Sequence, residues 1–122
     1  MSGIACVLVN GFGDEHLLPA LADSVRPLGC PVLYGDGAWE LFLEPGESAS
    51  GDVDALRVAF DDMDLHVLSR LPVGSSSPWS SDAAKKTEMA FQALELGLWP
   101  VGSWALWLDT DDRVELFHFV DL

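Results

Sequence analysis

Closely spaced carboxylates, with one aromatic side chain beside them, are the residues best suited to chemistry in this sequence. The carboxylates fall in two short runs that both resemble turns, and the negative charge of such runs attracts Arg, Lys and other cationic groups. An exposed indole beside them would add an anchor of the kind found at the centre of protein interfaces. We therefore predict a partner-binding surface, and its residues are Asp61, Asp62, Asp64, Trp107, Asp109, Asp111 and Asp112.

A metal centre is not predicted. His16, His66 and His118 lie far apart in the sequence, without the HxH, HxxxH or HExxH spacing that places two ligands on one face. The DxD spacing that begins at Asp109 matches the start of a calcium loop, but the loop glycine is missing and Val120 occupies the twelfth position, where glutamate is required. We interpret this run as a solvated turn.

The Gly11-Phe12-Gly13 run follows an apolar segment and could be taken for a phosphate-binding loop. A dinucleotide loop needs a third glycine at the position of His16, and it needs a free positive helix terminus. Here Asp14 and Glu15 place negative charge where the phosphate would sit. We expect a turn followed by a helix that Asp14 caps, and we predict no cofactor.

Nucleophilic catalysis finds no support either. The serines at 75–77 lie outside any GxSxG motif, and neither Cys6 nor Cys30 has a histidine nearby in the sequence. We expect both cysteines to be reduced core residues. No catalytic residue can be nominated, so the sequence favours a protein that is not an enzyme.

The net charge is −14, from 20 acidic and six basic residues. Direct contact with nucleic acid needs clustered Lys and Arg, so this charge argues against it and favours a basic protein partner. No apolar run is long enough to span a membrane, and the start of the chain lacks the pattern of an export signal. We expect a cytoplasmic protein.

The elements that must position these residues follow from hydrophobic periodicity. We predict a strand at 4–9, a helix at 14–25, and a hairpin of strands 30–34 and 38–43 joined by an Asp-Gly turn. The segment 54–71 fits either two strands or one helix, and we favour two strands. A helix begins at Ser81-Asp82, and a second hairpin joins 101–108 to 113–120.

These elements predict a single α+β domain spanning 1–122, with a mainly antiparallel sheet and two helices packed on one face. A β-α-β-β unit that occurs twice is an alternative description, because each half has a helix ending in Leu-Gly followed by Pro-Val and a hairpin.

The leading functional hypothesis is a small acidic binding protein that occludes a basic partner, either as the immunity protein of a toxin or as a nucleic-acid mimic. A small enzyme or ligand-binding domain that uses carboxylates is the first alternative, and it should show a concave pocket with converging polar groups and a perturbed titrating residue. An oligomerising subunit, such as a homodimer, is the second alternative.

Overall fold

Four strands form a single parallel sheet in the computed structural model, which describes residues 3–38, 53–68 and 79–114. The strand order is β3-β2-β1-β4, and every neighbouring pair runs parallel. The strands are β1 (Ile4–Gly11), β2 (Val32–Asp36), β3 (Leu65–Leu68) and β4 (Trp104–Asp109), and the helices are α1 (Leu18–Val25), α2 (Val53–Ala59) and α3 (Asp82–Glu95).

The two faces of β1 support two separate layers of helices. Val7 and Val9 pack with α1 and α2 on one face, whereas Cys6 and Leu8 pack with Met89 of α3 on the other. All four of these β1 side chains are fully buried. A strand covered on both faces is apolar at consecutive positions, and this explains why the run Cys-Val-Leu-Val lacks the alternation of a half-exposed strand.

The strand order creates a switch point between β1 and β4. From β1 the chain moves outward to β2 and β3 on one side, and α3 then leads it back across the sheet to β4 on the other side of β1. The connection that leaves β1 runs through α1 on one face of the sheet, whereas the connection that reaches β4 comes from α3 on the other face. The fold therefore positions the residues that follow β1 and β4 next to each other.

The predicted antiparallel sheet is wrong. Both edges of β2 are occupied by parallel neighbours, β1 and β3, so the predicted hairpin partner cannot pair with it. Strand β4 also pairs parallel to β1. The prediction gave most weight to the Asp-Gly turn after β2, which favours a hairpin. The apolar run of β1, which is buried on both faces, is the stronger indicator and favours a parallel sheet. Residues 39–43 and 115–120 of the predicted hairpins lie outside the described residues.

The predicted arrangement of helices is also wrong. Segment 54–71 is neither two strands nor one helix, because α2 covers its first part and β3 its second. The helices lie on both faces of the sheet rather than on one. Strands and helices alternate in the described order, so a duplicated β-α-β-β unit is not observed.

Several local predictions are confirmed. Strand β1 and helix α3 form where expected, and the Ser81 hydroxyl caps α3 by accepting a hydrogen bond from the Ala84 N–H at 3.0 Å. Helix α1 starts later than predicted, after a 3-10 turn at Glu15–Leu17, and Gly29 ends the helical segment with a φ of 66°. Among the described helices, none has the length and apolar character needed to span a bilayer.

Candidate ligand site at the carboxyl edge of the sheet

A cavity of about 260 Å³ opens at the switch point, where β1 and β4 end. We call it the switch-point pocket. Its walls combine residues that follow these strands with residues from the loop after β2 and the first turn of α3. They are Asn10, Gly11, Phe12, Asp14, Ala38, Lys85, Asp109, Thr110 and Asp111. Ligands of open parallel sheets bind at this place in the fold.

Gly11 lets three elements meet behind the pocket. A Cβ atom at this position would overlap the Tyr34 hydroxyl and would lie 2.7 Å from the Thr110 methyl carbon. Only glycine therefore allows β2 and the end of β4 to approach β1 this closely. The neighbouring Gly13 serves the turn instead, with a φ of 79°.

Lys85 is the buried cation of the pocket. Its Nζ donates hydrogen bonds to the carbonyl oxygens of Gly37, at 2.6 Å, and Gly11, at 3.2 Å. The side chain has no solvent exposure. It thereby ties the loops that follow β1 and β2 to helix α3, and it shapes the pocket wall.

Burial lowers the pKa of Lys85 to about 8, although the nearby charges of Asp36, Asp82 and Asp109 act in the opposite direction. Desolvation of an ammonium favours its neutral form, and carboxylates favour the charged form. The result is a group that titrates near neutral pH inside a cavity. Such perturbed groups are enriched at functional sites.

Asn10 contributes an acceptor that lacks a partner. Its Nδ2 donates a hydrogen bond to Asp82 Oδ1 at 3.0 Å, while its Oδ1 is buried and accepts none from the described residues. Rotating the amide by 180° would turn its oxygen toward the Asp82 carboxylate. Two acceptor oxygens would then face each other without a hydrogen between them, so the amide orientation is assigned from this contact. A buried acceptor without a donor costs about 1–3 kcal/mol. Asn10 thus brings an unsatisfied acceptor, itself closed to solvent, to the pocket wall.

Asp109 and Asp111 line the pocket, and a third carboxylate, Asp112, lies close to both. An oxygen from each of Asp109, Asp111 and Asp112 lies within 4.8 Å of the others, and all three residues are exposed. The Asp109 N–H donates to Asp112 Oδ2 at 2.7 Å, which holds the turn together. Burial is the main cause that raises the pKa of Asp109, and the charges of Asp112 and Asp111 add to it. The cluster is therefore a site of concentrated negative charge.

Asp14 belongs to this site rather than to a helix cap. Its side chain caps no backbone N–H, which corrects the predicted role, and its Oδ2 instead accepts a hydrogen bond from Thr110 Oγ1 at 3.3 Å. Burial raises the pKa of Tyr34, and the charges of Asp36, Glu15 and Asp14 raise it further. The edge of the sheet is thus negative on both sides of β1.

The structure does not bring together all the predicted partner-binding residues. Asp61, Asp62 and Asp64 precede β3 at the amino edge of the sheet, whereas the other carboxylates follow β4 at the carboxyl edge. Because β3 and β4 lie at opposite sides of the sheet, the two groups are separated by ~14 Å across the strands and ~16 Å along them. We call the first group the amino-edge surface.

Basic side chains lie against two of the three carboxylates of the amino-edge surface. Arg26 donates to both oxygens of Asp62, at 2.8 and 3.2 Å, and these hydrogen bonds lower the pKa of the Asp62 carboxyl. The Asp64 carboxylate lies 3.0 Å from His66 Nε2, within ion-pair distance but without hydrogen-bond geometry. Only Asp61 of the three has no ion pair with the described residues.

Trp107 lies near the pocket. It is 37% exposed and lies two residues before Asp109 on β4, so both side chains project from the α3 face of the sheet. Its role as an anchor stays a prediction, because no contact between Trp107 and the carboxylates follows from this placement.

Sequence reasoning missed two residues of the pocket, Lys85 and Asn10. Lys85 precedes the buried residues Met89 and Ala93 at intervals of four, so the apolar stripe of α3 extends back to it, and this spacing could have identified it as inward-facing. Asn10 continues the alternation of Cys6 and Leu8 beyond the apolar run of β1, which identifies it as an inward-facing polar residue.

The fold and this site define an α/β domain, with helices on both faces of a parallel sheet and an acidic pocket at its switch point. No protein-family model, curated protein or solved structure matches the chain.

Proposed function

We propose that the protein is a small α/β ligand-binding domain that takes a cationic ligand in the switch-point pocket. The observation that carries this proposal is that Asp109 and Asp111, with Asp112 close to both, line a cavity at the place where parallel sheets bind ligands. This is the first alternative from the sequence, and the pocket has the features named for it: converging polar groups and a perturbed titrating residue, Lys85.

The chemistry of the walls favours a ligand that is positively charged or rich in hydrogen-bond donors. Asp14, Asp109 and Asp111 supply carboxylates, and Asn10 supplies an unpaired amide oxygen. The Lys85 ammonium already donates to two carbonyl groups and is inaccessible to solvent, so it contributes little direct contact. An anionic ligand alone would face repulsion from the carboxylates.

The size of the cavity restricts the ligand. At about 260 Å³, it falls just below the range of about 300–1,000 Å³ that is typical of pockets for drug-sized molecules. A metal ion or a compact amine fits this volume, whereas a folded peptide segment does not.

Isothermal titration calorimetry with agmatine and putrescine, at low salt, tests this proposal. The wild-type protein should bind at least one of these amines, and Asp111→Asn should weaken binding at least ten-fold. Asp61→Asn, which removes one charge from the amino-edge surface, is the matched control and should change the affinity less than two-fold. Equal weakening by the two variants would show that only net charge matters and would contradict the proposal.

Occlusion of a basic protein partner is the second candidate function, and a separate groove favours it. This groove, of about 540 Å³, lies between α1 and α2. Its lining includes the apolar Val58, one cation, Arg26, which pairs with Asp23, and three further carboxylates, Glu15, Asp54 and Asp61, so its net charge is negative. A basic amphipathic helix would complement both its charge and its apolar floor. The roles of immunity protein and nucleic-acid mimic belong to this candidate, and the homodimer stays a prediction.

Capture of a partner at low salt tests the second candidate. A double variant, Asp54→Asn with Asp61→Asn, should reduce the amount of basic protein retained, whereas Asp111→Asn should not. If the amount of basic protein retained changes neither with added salt nor in the double variant, an electrostatic partner at this groove is excluded.

A further inference from the structure

The switch-point pocket has the ligand set of a divalent metal ion. We infer that Asp109, Asp111 and Asp112 bind one hard divalent cation, such as Ca²⁺, Mn²⁺ or Mg²⁺, with the Asn10 amide oxygen as a further ligand. The inference rests on the proposed function, because it names the cationic occupant of the same pocket.

The spacing of the carboxylates fits a cation of this size. Two oxygens on opposite sides of an ion are separated by twice the metal–oxygen distance, which is about 4.8 Å for Ca²⁺ and about 4.2 Å for Mg²⁺. One oxygen from each of the three aspartates lies within 4.8 Å of the other two. Three oxygens within this limit lie at most about 2.8 Å from a common point, so a small closure of the turn would bring all three within the roughly 2.3–2.6 Å of Ca²⁺ coordination, and a larger one would fit Mg²⁺.

The turn leaves these oxygens available. Asp112 accepts the Asp109 N–H through Oδ2 only, so Oδ1 of Asp112 makes no such bond. No Lys or Arg forms an ion pair with Asp109, Asp111 or Asp112 within the ranges 3–38, 53–68 and 79–114. A bound cation would relieve the mutual repulsion of the three carboxylates.

Asn10 provides a second observation that points to a ligand and is independent of the aspartates. Its side chain is more than nine-tenths buried, and its Oδ1 accepts no hydrogen bond from the described residues. Asn10 is paired in register with Asp109 on the adjacent strand, so the two side chains lie next to each other on the same face of the sheet. A metal ion at Asp109, or a water bound to that ion, would satisfy this oxygen.

The ligand atoms also select the class of metal. Carboxylate and amide oxygens suit Ca²⁺, Mg²⁺ and Mn²⁺, whereas Zn²⁺ sites favour the sulfur and nitrogen of Cys and His. Cys6 lies within the core beneath α3, away from the turn, and the three described candidate ligands are all aspartates. A preference for hard cations is therefore expected.

Calorimetric titration of the metal-stripped protein with MnCl₂ and CaCl₂ tests the inference. We expect one ion per chain, at least ten-fold weaker binding in Asp111→Asn, and a smaller loss in Asn10→Leu, which removes the amide oxygen. Asp61→Asn should bind within two-fold of wild type. Terbium luminescence excited through tryptophan provides a second readout, and Trp107→Phe should reduce its intensity without changing the affinity.

The outcomes separate this inference from the proposed function. If no ion binds at millimolar concentration while agmatine binds, the metal site is wrong and the ligand pocket stands. If neither binds, both are wrong. Equal weakening by Asp111→Asn and Asp61→Asn would indicate diffuse attraction of counterions and would also overturn the metal site. Circular dichroism of each variant confirms that a lost signal does not reflect unfolding.

Discussion

The amino-edge surface and the switch-point pocket are both acidic, but their charge is balanced in different ways. At the amino edge, Arg26 and His66 lie against the aspartates, and the Arg26–Asp62 pair is exposed to solvent. At the carboxyl edge, the carboxylates lie against one another, and the nearest buried cation, Lys85, is engaged by backbone carbonyls. A count of charges therefore does not distinguish the two regions, whereas the pairing of those charges among the described residues does.

The largest expected effect comes from the buried cation of the pocket. Lys85→Met should lower the free energy of unfolding by about 2 kcal/mol, because the carbonyl groups of Gly11 and Gly37 lose their buried donor. Lys86→Met is the matched control. Lys86 is an exposed neighbour that pairs with Asp82 on the helix surface, and its loss should change the stability by less than about 0.5 kcal/mol. Urea denaturation measures both values.

A more stable Lys85→Met variant would contradict this account of the pocket. It would mean that the desolvation of the ammonium outweighs its two hydrogen bonds, as happens when some buried ion pairs are replaced by apolar residues.

The pH dependence of stability should also distinguish the two regions. The folded state lowers the pKa of Lys85 from 10.5 to about 8, so between these values the unfolded state binds more protons and stability rises with pH. From pH 7.5 to 9, this gain is about 1 kcal/mol for wild type relative to Lys85→Met. The raised pKa values of Cys6 and Cys30 act in the opposite direction, but they are common to both proteins and cancel.

Denaturation curves at several pH values measure this difference. A constant gap between wild type and Lys85→Met would show that Lys85 does not titrate in this range. The difference in unfolding free energy between wild type and Arg26→Ala should not change with pH. The Arg26 guanidinium stays charged throughout this pH range.

The smallest effect compares single carboxylates from the two regions. In buffer with EDTA, Asp111→Asn should raise the free energy of unfolding by about 0.5 kcal/mol, since it relieves like-charge repulsion. Asp62→Asn should instead lower the melting temperature slightly, because it removes the charge that pairs with Arg26. Thermal melts of the two variants and wild type provide the test. Shifts of the same sign would indicate that both regions respond only to net charge.

The sequence predicts the individual elements better than their pairing. The apolar run of β1 and the capped start of α3 depend on nearby residues, so local patterns suffice to find them. Parallel pairing joins β1 to β4 across about 100 positions, and no local pattern specifies it. The apolar run of β1, which is buried on both faces, indicates a parallel sheet, but the Asp-Gly turn was given more weight in the prediction.

Only part of the candidate site was predicted, because the rest also depends on contacts between residues far apart in the sequence. The carboxylates of Asp109, Asp111 and Asp112 stand together in the sequence, so their proximity was evident. Asn10 and Lys85 join them only because the fold places β1, α3 and β4 side by side. Their residue types do not indicate a site, since a lysine in a helix and an asparagine before a glycine are ordinary surface and turn residues.

The position of the ligand is the most direct test of the claim that the switch-point pocket is the binding site. Addition of Mn²⁺ at substoichiometric amounts to ¹⁵N-labelled protein broadens the amide signals nearest to the bound ion. The account predicts that the signals of Gly11, Thr110 and Asp111 broaden first, while those of Asp61 and Asp64 persist. Equal broadening at the two edges of the sheet, or broadening that begins at Asp61 and Asp64, would contradict it.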